Sequence, residues 1–214
     1  MMNRKDIILF VSIFCILALL SGSTYAYWRW ESATNTSVVF NTSQGIDEYI
    51  VYDAGESHFV GNFQPSASHC GGESSTISFY IKNGAPSHVT ETDPTTGRGV
   101  LASTIMMNVN TIDSSIASSS SVKWAVTQGG VSDCGSTTLA AGNFNGKSAG
   151  ASFQLLSNLE ILKESVCGSG NNISSSCKYT VWVWVDSNGS GLSNLSGKTI
   201  DVNIWSQIDM TSVD

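Results

Sequence analysis

Charge is what this sequence has least of. Charged residues occupy 13% of its 214 positions, about half of the roughly 25% usual in soluble domains. The 10 basic residues are outnumbered by 17 acidic ones, for a net charge of −7. The basic side chains are scattered, which excludes nucleic-acid binding through a basic patch. Proline is also scarce, at three residues. Even so, 41% of the chain is hydrophobic, too much for a disordered chain of low hydrophobicity and high net charge. Serine and threonine fill the space that charge leaves, with 36 Ser and 17 Thr. A polar, uncharged surface of this kind fits an extracellular β-protein better than a cytosolic enzyme.

Catalytic motifs are missing as well. His58, His69 and His88 are scattered, without HExxH or any comparable ligand spacing, and no GxSxG or P-loop occurs. Gly71–Gly72 and Gly129–Gly130 sit in turns and do not open helices. Carboxylates are plentiful, but sequence alone pairs none of them across a cleft. The reading is non-enzymatic: no catalytic residue, no metal and no cofactor is expected.

Long apolar runs are absent but for one. Arg4 and Lys5 precede Ile7–Leu20, and the small residues Ser21–Ala26 follow. A basic start, an apolar middle and a small-residue end are the parts of a secretory signal peptide. Thr24 and Ala26 fit the −3 and −1 positions, so cleavage is predicted between Ala26 and Tyr27. The alternative is an uncleaved anchor, since the run approaches the short limit of a membrane span. Cleavage would remove Arg4, Lys5 and Asp6, leaving 8 basic and 16 acidic residues and a net charge of −8. The C-terminal QIDMTSVD carries neither a hydrophobic nor a basic tail, so a sortase-type wall anchor is not expected.

With Cys15 inside the apolar run, four cysteines remain: Cys70, Cys134, Cys167 and Cys177. An even number in an exported chain suggests two disulfides, with three possible connectivities. Cys167 and Cys177 flank the loop-forming GSGNNISSS, which favours pairing them and leaves Cys70 with Cys134. The rival is a metal site, but no CxxC occurs and His69 alone among the histidines adjoins a cysteine.

Short strands follow one another along the rest of the chain. Runs at 36–42, 47–53, 75–83, 103–112, 121–128, 151–157, 177–187 and 197–208 are β-branched, aromatic or alternating. In the seventh, Tyr179, Val181, Val183 and Val185 point one way, and Trp182 and Trp184 the other. In the last, Ile200, Val202 and Ile204 oppose Asp201, Asn203 and Trp205. Gly, Asn, Asp and Ser clusters separate these runs. Residues 158–165 read as possibly helical, and longer loops are expected near 84–101 and 129–150. The pattern implies an all-β fold, a single jelly roll or β-sandwich. Residues 1–26 would be the signal peptide, 27–43 an N-terminal extension and 44–214 the domain.

Tryptophans supply the remaining candidates. Trp182, Trp184 and Trp205, on two terminal strands taken as neighbours, could stack on sugars if exposed. The competing reading has them packing the core and cross-strand pairs. Trp28 and Trp30 lie just after the cleavage point in YWRWES, where aromatic rings are costly to leave in water. That segment needs its own sheet, a membrane or another subunit. The sequons at Asn35, Asn41, Asn172, Asn188 and Asn194 follow from an Asn- and Ser-rich composition.

STYAYW followed by SVVFNT resembles the start of the TasA/camelysin family of exported bacterial proteins. SFYIKNGAPS is similar to that family's central strand and Asn-Gly turn. YTVWVWVDSNGSGLSNLSGKTIDVNIWSQ is similar to its closing strands. The resemblance implies a jelly roll, removal of the leader by a dedicated signal peptidase, and fibres in a biofilm matrix. It also implies that the mature N-terminus is donated as a strand to a neighbouring subunit. On this sequence the donor would run from Tyr27 to about Thr42, with Val38 and Phe40 as inward anchors and Trp28 and Trp30 beside them. The four cysteines depart from the fibre-forming members. The metallopeptidase activity described for some members finds no zinc motif here.

Two functions follow from these readings. The first is a secreted structural subunit of the cell surface or biofilm matrix, whose partners are itself or related matrix subunits and the signal peptidase. The second is a monomeric surface binding module, for glycans or as an adhesin, using Trp182, Trp184 or Trp205. No nucleic-acid partner is expected, and a membrane only through the N-terminal segment.

Overall fold

The computed structural model describes residues 28–31, 37–41, 49–54, 58–61, 65–85 and 99–212. Twelve strands appear among them: β1 (Trp28–Glu31), β2 (Ser37–Asn41), β3 (Ile50–Ala54), β4 (His58–Gly61), β5 (Pro65–Ser66) and β6 (Glu73–Ile81) in the first half, then β7 (Gly99–Ile112), β8 (Val122–Gln128), β9 (Thr138–Asn143), β10 (Ser152–Glu160), β11 (Lys178–Asp186) and β12 (Ile200–Ser212). They form two six-stranded sheets. The first runs β1-β2-β12-β7-β10 with β4 also on β12. The second runs β3-β6-β11-β8-β9 with β5 also on β11.

Within these sheets, β4-β12-β7-β10 faces β6-β11-β8-β9. That is the eight-strand, two-Greek-key order of a jelly roll. The all-β sandwich read from the alternation is thus the observed fold. Strands β1, β2, β3 and β5 are additions at its margins.

Alternation decides which side chains meet between the sheets. On β12, Ile200, Val202, Ile204 and Ile208 are fully buried, and on β11 Val181 and Val183 match them from the other sheet. Phe79 stacks on Tyr179 with centroids 5.3 Å apart. Each fully buried branched or aromatic side chain contributes about 1.5–3 kcal/mol, so these inner faces dominate folding. β11 is buried on both faces along most of its length, as befits a central strand with a cover on its outer side.

Three readings need correction. Residues 158–165 are not a helix. β10 continues to Glu160, and only Glu164–Cys167 makes a single helical turn. Two register shifts interrupt the pairing of β10 with β7, and Asn158 adopts φ 57°. Bulges reset the inside–outside alternation, so Leu155, Leu156 and Leu159 imitate helical spacing. Second, the 129–150 loop contains β9, whose TLAAGN lacks branched alternation. Its Gly142 lets the Trp124 ring lie against the backbone, since a Cβ there would sit 2.5 Å from Cζ2. In the 84–101 loop, residues 86–98 lie outside the described residues, and β7 already begins at Gly99. Third, β11 and β12 belong to opposite sheets. The connection from β11 to β12 crosses the sandwich, so these two strands are not neighbours although they are consecutive in sequence.

The disulfides are Cys70–Cys134 and Cys167–Cys177, each with 5.6 Å between Cα atoms. This is the connectivity favoured by the GSGNNISSS loop. Two disulfides fit an oxidising compartment. Among the described residues no helix is long and apolar enough to cross a membrane. The signal segment and the Ala26–Tyr27 cleavage point lie outside the described residues.

Candidate functional site

β12 is a long interior strand of the first sheet, paired on both sides. One side of this strand pairs with β7 from Ile200 to Ser212. The other side is shared between two short strands. β4 runs antiparallel along Ile200–Asn203, and β2 runs parallel along Ser206–Asp209. β2 is backed by β1 in an antiparallel hairpin that sets Trp28 opposite Phe40 and Trp30 opposite Val38. The two strands within the expected donor, β1 and β2, therefore lie at the margin of the chain's own sheet.

Register assigns the two expected anchors. Val38 lies opposite Ser206 and Phe40 opposite Ile208. Both β12 residues are fully buried on the core-facing side. Val38 and Phe40 are thus set by backbone register beside Ser206 and Ile208. The parallel pairing also matters chemically. It leaves β2 attached to the domain through main-chain bonds to β12 and β1, at the margin of a jelly roll already complete in topology.

The outer face of the second sheet carries the other candidates. Trp182 and Trp184 are 2% and 8% exposed and cluster with Ala125 and Cys134. A short turn, His69–Gly71, covers them. The His69 ring lies 5.4 Å from Trp182 and 5.9 Å from Trp184. The indole N–H of Trp182 donates to Thr127 Oγ1 at 2.9 Å. Behind the turn, Gly72 presses on β11 so closely that a Cβ would lie 2.5 Å from the Val183 oxygen. The Cys70–Cys134 bond ties this turn to the loop after β8.

Trp182 and Trp184 therefore offer no surface for stacking on a sugar, which removes them as exposed binding aromatics. The reason is the covering turn, three residues that no periodicity announces. The tight HCGG spacing was its sole trace in the sequence. Trp205 is half-buried on the other sheet, its indole N–H donating to Asn108 Oδ1 at 3.0 Å. The three tryptophans do not form one row.

Other polar features are small. A cavity of about 630 Å³ at one end of the sandwich is lined by serines of the 115–120 and 190–196 segments, with Lys198. No aromatic ring lines it. Asp186 has its carboxyl held below the usual range, first by the hydrogen bond from Lys123 Nζ at 2.6 Å and then by the Asn188 N–H. Burial pushes the Tyr52 and Tyr179 hydroxyls up. His69, Cys70 and Cys134 bring three metal-ligand atoms within 4.8 Å of one another, with both sulfurs bonded to each other.

No family model, curated protein or solved structure matches the chain.

Proposed function

We propose that this chain is a secreted structural subunit of a cell-surface or biofilm matrix, assembling into fibres by exchange of its N-terminal strand. The observation that carries the reading is the parallel pairing of β2 with Ser206–Asp209 of β12. The eight-strand jelly roll is complete without β1 and β2, so withdrawing them leaves its topology intact. What is exposed is one half of the β12 edge, a row of unpaired backbone groups that templates another strand. A second copy supplies an identical β2, so the same register forms between chains as within one. Exchange conserves the interface, and head-to-tail repetition of a contact that does not close builds a filament. Main-chain bonds would supply affinity, and the alternate positions of Val38 and Phe40 would supply register.

Composition supports the same reading. Natural β-proteins block their edges with lysine and other charges, whereas SVVFN has none and only 13% of the chain is charged. The resemblance of both ends and one central strand to the TasA/camelysin family points to the same mode of assembly. It also assigns the removal of residues 1–26 to a dedicated signal peptidase.

The test uses the register. Val39 lies opposite Gln207, so a Val39→Cys, Gln207→Cys variant should trap the pairing as a disulfide. Under assembly conditions, two differently tagged populations should give mixed, tag-to-tag ladders on non-reducing gels. Mature protein lacking residues 27–42 should stay monomeric and folded. Fibres that persist after this deletion, or cross-links confined within single chains in the fibres, would overturn the proposal.

A further inference from the structure

The two disulfides lie in opposite surroundings. Cys167 and Cys177 are 0% and 2% exposed and pack with Tyr80, Val51 and Leu162. Cys70 is exposed and Cys134 half-buried, on the outer face of the second sheet. Thiol–disulfide exchange needs access to a sulfur, and exposed disulfides are the labile ones. A dithiol reductant reaches the Cys70–Cys134 bond first.

The chemistry balances simply. One reductant thiolate attacks a sulfur of the pair and forms a mixed disulfide. The second reductant thiol then closes its own ring. Two electrons pass to the protein, Cys70 and Cys134 end as thiols, and the reductant leaves as a cyclic disulfide. The turn does not lose its place when the bond opens. β5 on one side pairs with β11 through Val185 and Asp186, and β6 on the other pairs with it from Glu73 onward. Ser187 N–H also donates to the Ser66 carbonyl at 2.9 Å. Cys70 therefore stays beside His69, and the 3.0 Å contact of His69 Nε2 with the Cys134 carbonyl keeps Cys134 there.

His69 is already oriented for a third role. Its Nε2 lies 3.0 Å from the Cys134 carbonyl oxygen. A carbonyl accepts only, so Nε2 carries the proton and Nδ1 keeps the lone pair. Metal-binding histidines are oriented in this way, one ring nitrogen donating to a backbone carbonyl while the other binds the ion. One ring nitrogen of His69 and the two sulfurs lie within 4.8 Å of one another. Around tetrahedral zinc, with bonds of about 2.3 Å to sulfur and 2.0–2.1 Å to nitrogen, neighbouring ligand atoms stand roughly 3.4–3.8 Å apart. Bonded to each other at about 2.05 Å, the two sulfurs must part by roughly 1.7 Å once reduced, while the histidine nitrogen must close by at most about 1.4 Å.

We propose that reduction of the Cys70–Cys134 disulfide turns this turn into a site for a thiophilic cation, Zn²⁺. Its ligands are the two thiolates and a ring nitrogen of His69, with the fourth position open to water. Each thiol releases a proton to solvent as the ion binds. The ion then replaces the covalent clip that holds the turn over Trp182 and Trp184. The exchange makes the stability of the cover, not its place, depend on redox state and metal supply. It is independent of the strand-exchange reading.

Cobalt is the probe. Full-length mature protein is reduced on an immobilised dithiol resin, separated from it under inert gas and titrated with Co²⁺. The reduced protein should show thiolate-to-cobalt charge-transfer absorption saturating at one ion per chain, displaced by Zn²⁺. The oxidised protein should show none. Cys70→Ser should abolish the band, and His69→Ala should weaken binding at least about tenfold, the lower end of the loss for even an outer partner of a metal ligand. A Cys167→Ala, Cys177→Ala variant should keep it. A second readout needs no substitution: Zn²⁺ should raise the melting temperature of the reduced protein but not of the oxidised one. Equal cobalt binding by both redox forms, no binding by the reduced form, or binding indifferent to His69 would overturn the proposal.

Discussion

Gly72→Ala sets two effects of opposite sign against each other. Gly72 adopts φ −91° and ψ 178°, extended backbone that alanine enters without strain. On backbone grounds alone, the substitution should stabilise by about 0.4–1 kcal/mol, because alanine loses less freedom on folding. The contacts point the other way. The new methyl would lie 2.5 Å from the Val183 carbonyl oxygen and 2.7 Å from Trp184 Cβ. Both atoms belong to β11, which is hydrogen-bonded to β6 on one side and β8 on the other, so that strand cannot retreat. The turn must lift by nearly 1 Å to reach ordinary contact distance, about 3.4 Å. Lifting loosens the 3.0 Å contact between His69 and Cys134 and the ring packing on Trp182 and Trp184. Overpacking of this kind costs about 1–3 kcal/mol. It therefore outweighs the entropic gain, for a net loss of about 1–2 kcal/mol, a large share of a stability of about 5–15 kcal/mol. Urea unfolding followed by tryptophan fluorescence, with both disulfides intact, should give a lower midpoint at unchanged slope. Gly135→Ala is the control. Nothing lies within 4 Å of a Cβ there, so its midpoint should stay level or rise. If Gly72→Ala is as stable as the parent, or if both variants move together, the close approach of this turn to β11 is wrong.

Other perturbations separate the remaining terms. In chain-entropy terms, the Cys70–Cys134 bond spans 64 residues and should be worth about 4.3 kcal/mol, against about 2.7 kcal/mol for the 10-residue Cys167–Cys177 loop. Urea curves of the paired Cys→Ala variants should keep that order, and a reversed order would show that burial of the second pair dominates. Trp182→Phe removes the donor to Thr127 Oγ1 inside the sheet and should cost about 1–3 kcal/mol. Adding Thr127→Val should recover part of that loss in the same unfolding assay; no recovery would refute the role of the hydrogen bond. Burial raises the Tyr52 and Tyr179 hydroxyls above the ordinary 10.0. The unfolded chain then ionises first, so their contribution is complete below pH 10 and falls as pH climbs beyond it. Thermal melts between pH 8 and about 12 should show that decline, shallower in Tyr179→Phe, and an identical slope would refute it.

Much of the fold was legible because strand alternation is a local property. Ile77, Phe79 and Ile81 share a face by spacing alone, and so do Val181, Val183 and Val185. All six are buried where alternation put them. β9 and β4 were not legible. TLAAGN packs through a glycine that accommodates Trp124, and HFVG is too short to show a period. The bulged end of β10 misled because two register shifts break the alternation that identifies a strand. At the candidate site, a strand at 37–41 was readable from its β-branched run, but its pairing with the chain's own β12 was not. Nothing in SVVFN names its partner.

The sequence by itself determined the class of fold, the even set of four cysteines that pairs into two disulfides, and which side of each strong strand is apolar. These follow from composition and from a period of two, both carried by neighbouring residues. Tertiary structure decided what those faces meet. It put β11 and β12 in opposite sheets and closed Trp182 and Trp184 under a three-residue turn. It also joined cysteines 64 residues apart beside His69. Those outcomes depend on contacts between residues far apart in the chain, where no local preference selects the partner and only the packing of the whole sandwich does.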